Sequence, residues 1–123
     1  MKIEVSIGEI VDKLSILTLK KRYIKNESKL ENVNKEYLYL HEIVFADLNI
    51  SIDDYDELLH INQLLWWIED DIRVKELKQE FDDQFIELAR SVYITNDKRA
   101  AIKNQINEKY GSEFKEEKSY AKY

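Results

Sequence analysis

The chain has 123 residues, 44% of them hydrophobic and 36% charged, with a net charge of −6. That size fits one domain with its own core, and acids and bases interspersed in this proportion exclude a general nucleic-acid surface, which needs a basic face. Without a cysteine there is no disulfide, thiolate metal site or cysteine nucleophile, and two histidines, His41 and His60, are too few for most zinc sites.

Two glycines and no proline leave little to build turns from. A few long helices joined by short polar links is therefore the economical reading. The predicted class is all-α: one domain over residues 1–123, a bundle of about four helices with an N-terminal helical hairpin, two long C-terminal helices and a docked tail. No apolar run approaches the roughly 18 residues that cross a bilayer, and the N-terminus lacks the basic-then-apolar signal-peptide pattern. The expected setting is cytoplasmic, with no membrane and no nucleic-acid partner.

Residues 1–5 read as an extended lead-in. Ser6 followed by Glu9 is a capping box, which starts helix one there. Ile10, Val11, Leu14, Leu17 and Ile24 recur along it at helical spacing, and Lys20, Lys21 and Arg22 suit its C-terminal end. Ser28 and Glu31 form a second box, predicting a break near 25–27 and a second helix whose stripe of Leu30, Val33, Tyr37, Leu40 and Val44 is wide enough for two neighbours. Ser51 or Asp53 then caps helix three, which runs to about Glu80. A fourth helix, kinked from the third near Phe81–Asp83, runs to Tyr110, and Gly111 supplies the left-handed stop. The tail, 111–123, is charged but keeps Phe114, Tyr120 and Tyr123, which predicts docking.

On helix three the core stripe of Leu58, Ile61, Leu65, Ile68 and Ile72 is bordered by Asn62, Trp66, Glu69, Arg73 and Glu76, spaced 4, 3, 4, 3. On helix four an apolar stripe, Phe85, Ala89, Val92 and Tyr93, continues as Asn96, Ala100, Lys103 and Asn107. Arg90, Asp97 and Arg99 lie on adjacent faces. Such a line is either an internal network that fixes register, with Glu69–Arg73 and Arg73–Glu76 as same-helix pairs, or a ligand groove. Both readings stay open at even weight, because an unpaired polar group beside a core costs about 1–3 kcal/mol and needs a reason.

The ligand reading names Trp66 for a ring face, Glu69, Asn96 and Asn107 for hydrogen bonds, and Arg73, Arg90, Arg99 and Lys103 for an anion. The metal reading has only weak acids to offer, Glu9, Asp12, Glu69 and Asp70; acids in a first turn more often serve the helix dipole. Trp66 and Trp67 point about 100° apart, so one domain hardly buries both, and Trp67 suggests a homo-oligomer.

Four segments together resemble a known family: Gly8 to Leu17 (GEIVDKLSIL), Leu65 to Arg73 (LWxIEDxIR, with Trp67 at an open position), Phe85 to Tyr93 (FIxLARSVY) running into Asn96 to Lys103 (NDxRAxIK), and Glu116 to Tyr120 (EEKSY). They are similar to small bacterial and phage proteins grouped as a domain of unknown function. The resemblance implies no reaction. It does imply surroundings of sugar-nucleotide and surface-polysaccharide genes, and with them a phosphosugar or nucleotide as ligand. Three functions are carried forward: an accessory protein binding a small anionic molecule and needing no cofactor, a magnesium-dependent all-α nucleotide pyrophosphohydrolase, and a structural oligomerisation module. The second is a poor match, since Arg73 stands where its second acid would be.

Overall fold

The computed structural model describes all 123 residues and contains no strand. Its helices are α1 (Ile7–Tyr23), α2 (Glu27–His41), α3 (Ile52–Leu77) and α4 (Asp83–Lys109), and α2 continues into a π-helical segment, Glu42–Asp47. The all-α bundle with two long C-terminal helices is as expected. No helix is long and apolar enough to cross a membrane.

The helix starts follow from capping chemistry, in which a side-chain oxygen takes one of the orphan amides of the first turn. Ser6 accepts from the Glu9 amide at 3.2 Å, Ser51 from Asp54 at 3.1 Å, and Asp82 from Phe85 at 3.0 Å. Only half of the first capping box forms, because the Glu9 carboxylate is drawn to Lys103. The second box is not used at all. Asn26 accepts from the Lys29 amide at 3.0 Å, so α2 begins before Ser28. Ile24 is already extended at the end of α1, and Asn26 is then the first capping side chain the chain reaches.

The link between α3 and α4 is a reversal and not a kink. Gln79 takes φ 56°, the Glu80 amide reaches back to the Lys75 carbonyl and the Gln79 amide to Glu76, a Schellman closure with glutamine where glycine is usual. Gly111, at φ 68°, ends α4 by the same motif through Ser112 to Asn107 and Gly111 to Glu108.

The core gathers Val11 and Leu14 of α1, Val44, Ile50, Tyr55, Leu58, Ile61 and Leu65 of the middle of the chain, and Ile102 and Ile106 of α4. α2 contributes less than its wide stripe suggests: only Val33 is buried in it, while Leu38 and Tyr39 face solvent. Between Trp66 and Ile94 no residue is buried. Ile68 and Ile72 are half-buried there, because α1 has ended by Tyr23, which stacks on Trp66, and the far halves of α3 and α4 project as a two-helix arm. The tail docks, but by polar contacts: Ser112 accepts from the Ile7 amide, Glu116 takes Lys103, and Tyr123 donates to Asp97 and packs on Tyr93, while Phe114, Tyr120 and Tyr123, the aromatics that predicted docking, stay exposed.

Candidate functional site

Arg99, Lys103 and Asn107 lie one turn apart on α4, and each meets the beginning of α1. Arg99 donates through Nε to Asp12 Oδ1 at 2.8 Å and through Nη2 to Oδ2 at 2.5 Å. Lys103 Nζ lies 2.7 Å from Glu9 and 2.8 Å from Glu116 of the tail. Asn107 accepts from the Gly8 amide at 2.6 Å. Together they run antiparallel to α1, residue by residue, from Asp12 back to Gly8.

Asp12 is 1% exposed, and a carboxylate so buried needs its lone pairs filled. Besides Arg99, Asn62 Nδ2 donates to Oδ1 at 2.9 Å and to the Ser15 hydroxyl at 2.7 Å, while Ser15 donates to the Asp12 carbonyl. The Asp12 carboxylate raises the Arg99 pKa above its usual value. Burial alone would lower that of Lys103, but its bonds to Glu116 and Glu9 outweigh the burial and leave it above the ordinary 10.5. Gly8 completes the clamp. A Cβ there would sit 2.5 Å from the Lys103 carbonyl oxygen, so only glycine admits α4 this closely.

Arg99 also faces outward. Its Nη1 has no acceptor in the protein, and it edges an open cleft of about 540 Å³. Ile16, Leu19, Leu65 and Trp66 give that cleft an apolar lining, and Asn62, Glu69, Asp70, Arg73, Asn96 and Arg99 a polar one. Arg73, with a side chain 78% exposed, pairs only with Glu69 at 3.4 Å. A smaller hollow of about 240 Å³ adjoins it, lined by Glu9, Asn96, Arg99, Ala100, Lys103, Glu116 and Lys118. Asn96 and Arg99 belong to both. The larger groove at the arm tip, about 590 Å³, holds Lys75 already fixed between Glu80 and Asp82.

Of the residues singled out from sequence, Trp66, Glu69, Arg73, Asn96 and Arg99 come together around the cleft. Lys103 is buried beside it in the smaller hollow, Asn107 is fully buried on Gly8, and Arg90 stands exposed on the arm and lines neither hollow. Glu9 and Asp12 are each held by a cation of α4, whereas Glu69 and Asp70 border the cleft. No three of the His, Asp and Glu side chains are grouped so as to hold a metal ion. Ser15, Gly8 and Glu116 were not singled out. All three lie in segments that carry the family resemblance, and for Gly8 a glycine within a first helical turn was a further signal, since it weakens a helix unless something must come close.

Fold and site thus define a small all-α protein whose fourth helix is clamped to its first beside an open, mixed cleft. Over residues 1–123 the chain matches the model of a family of unknown function (DUF6165), and it belongs to that family. No curated protein and no solved structure matches it.

Proposed function

We propose that this protein is a binding protein whose cleft between α1, α3 and α4 takes a small anionic molecule with a flat or ring-shaped part, a nucleotide or phosphosugar. One observation carries the reading: Arg99 is held rigidly by Asp12 while its Nη1 remains unengaged at the edge of a cleft lined by Trp66. A guanidinium fixed before binding loses little entropy on meeting a phosphate, and arginine suits phosphate oxygens geometrically. Arg73 adds a mobile second cation, because an exposed same-helix pair such as Glu69–Arg73 holds it by under about 1 kcal/mol. Trp66, Leu65, Ile16 and Leu19 suit the apolar face of a base or sugar. The surface-polysaccharide surroundings implied by the family resemblance agree with a phosphosugar.

On this reading both uses of the polar residues hold together: Lys103 and Asn107 of the line fix register, Arg99 from the adjacent face both fixes register and meets the ligand, and Trp66, Glu69, Arg73 and Asn96 line the cleft. Of the acids named for the magnesium-dependent hydrolase, Glu9 and Asp12 are paired with Lys103 and Arg99, and Glu69 and Asp70 border the cleft. Calorimetric titration with nucleotides and nucleotide sugars tests the proposal. Binding that weakens at least about tenfold in Trp66→Ala supports it; no heat from any of them with folded protein sinks it.

A further inference from the structure

The smaller hollow holds three cationic side chains, Arg99, Lys103 and Lys118, facing the carboxylates of Glu9 and Glu116, with Asp12 beneath Arg99. Glu116 is the unusual member. It comes from a tail without regular structure, its neighbours Lys115 and Glu117 are exposed, and its carboxylate alone turns inward to Lys103, whose side chain is only 7% exposed. A buried ammonium needs anionic partners at all times. Glu9 is such a partner fixed on α1, so Glu116 is the one with which an arriving anion can exchange while the ammonium stays paired.

We propose that Glu116 is a built-in stand-in for a second anionic group of the ligand, so that the site takes a diphosphate in preference to a monophosphate. The inference rests on the cleft reading above and names its ligand class. Asn96 and Arg99 form the common wall of the two hollows, so a molecule lying in the cleft with one phosphoryl group on Arg99 has its next group beside Lys103. The two cations stand one helical turn apart, about 5–6 Å between Cβ atoms, a span that two linked phosphoryl groups bridge. Charge agrees with the exchange. Arg99, Lys103 and Lys118 balance Asp12, Glu9 and Glu116; with the Glu116 carboxylate swung out, one positive charge is left for the incoming group.

Titration of the full chain with pyrophosphate and with inorganic phosphate, at fixed ionic strength, tests this directly. Wild type is expected to bind pyrophosphate more tightly than phosphate, and Glu116→Gln, which keeps size and removes the competing charge, to bind pyrophosphate about 3- to 10-fold more tightly than wild type. Limited trypsin digestion of wild type supplies a readout independent of the variant: saturating pyrophosphate should speed cleavage after Lys115. Unchanged or weaker binding by a folded Glu116→Gln, slowed tail cleavage, or no pyrophosphate binding by either protein overturns the proposal. Nucleoside diphosphate binding that is weakened in Trp66→Ala but indifferent to Glu116→Gln overturns the stand-in and keeps the cleft. Pyrophosphate binding that responds to Glu116→Gln while no nucleotide or nucleotide sugar binds does the reverse.

Discussion

Arg99 of α4 grips Asp12 of α1 with two nitrogens, Nε and Nη2, and Asn62 of α3 gives the same carboxylate a third donor. Three helices are thereby tied at one nearly inaccessible group. Removing one partner of such a pair leaves a charge buried without compensation, which costs about 3–5 kcal/mol, whereas replacing both by apolar groups costs far less. Arg99→Leu is expected to lower the unfolding free energy by about 3 kcal/mol, and Asp12→Leu combined with Arg99→Leu to fall well short of the sum of the single losses. Urea denaturation of the four proteins measures the coupling. A loss below about 1 kcal/mol in Arg99→Leu would show that the pair is not effectively buried.

Gly8 sets how near α4 can lie to α1. Alanine would place its Cβ 2.5 Å from the Lys103 carbonyl oxygen and 3.0 Å from Asn107 Oδ1, and the first of these is backbone that cannot rotate away. Its gain in helix propensity is about 1 kcal/mol. Overpacking costs about 1–3 kcal/mol, and the separation of the helices also stretches the Gly8–Asn107 bond. Gly8→Ala should therefore destabilise by about 1–3 kcal/mol in urea denaturation. A more stable variant would mean that α1 and α4 part freely here.

The helix inventory could be read ahead because caps are local: Ser6, Ser51 and Gly111 each act within a few residues of themselves. Where two capping side chains stood close, at Asn26 and Ser28, the choice depended on how the chain left α1, which is not local. The π-helical stretch 42–47 carried no signal at all. For the site, spacing placed Asn96, Lys103 and Asn107 on one line of α4 and Arg99 on an adjacent face but could not say which helix they meet. Asp12 consequently read as an acid favouring a helix dipole and proved to be the centre of the clamp. Glu116 lies 13 residues beyond Lys103, past a turn, and no periodicity links them.

The reversal between α3 and α4 keeps Gln79 at φ 56°, where a side chain crowds its own backbone. Glycine takes this conformation without that strain, though it loses more freedom on folding and forfeits the exposed bond from Gln79 Nε2 to the Glu76 carbonyl. The strain term, about 1–2 kcal/mol, is the larger. Gln79→Gly is expected to stabilise by about 0.5–1 kcal/mol, and Gln79→Val, which adds a branched side chain at the same φ, to destabilise. Thermal or urea unfolding of both variants gives the two signs, and a Gln79→Gly protein less stable than wild type contradicts the strain argument.

At the opposite end of the arm's two helices, Asp54 near the start of α3 receives Lys109 at 2.8 Å, Tyr110 at 2.6 Å and Ser51 at 2.8 Å on one carboxylate oxygen. Lys109 first and Tyr110 next hold its pKa below the ordinary 3.8, and Lys103 holds that of Glu116 below the ordinary 4.5. Both groups bind protons more readily unfolded than folded, so their stabilisation is present above those ordinary values and is lost as pH falls through the depressed ones. Lys103 runs the other way: its contribution is present below 10.5 and is lost as pH rises through its raised value. The sharpest check is Asp54→Asn, which keeps a similar shape but no charge. Its stability deficit against wild type in urea should be largest near neutrality and shrink as the pH is taken below 3.8 and on through the depressed value, where folded wild-type Asp54 also becomes neutral. A deficit that is the same at pH values above and below that point would place its origin in packing at the α3 start and not in the charge of Asp54.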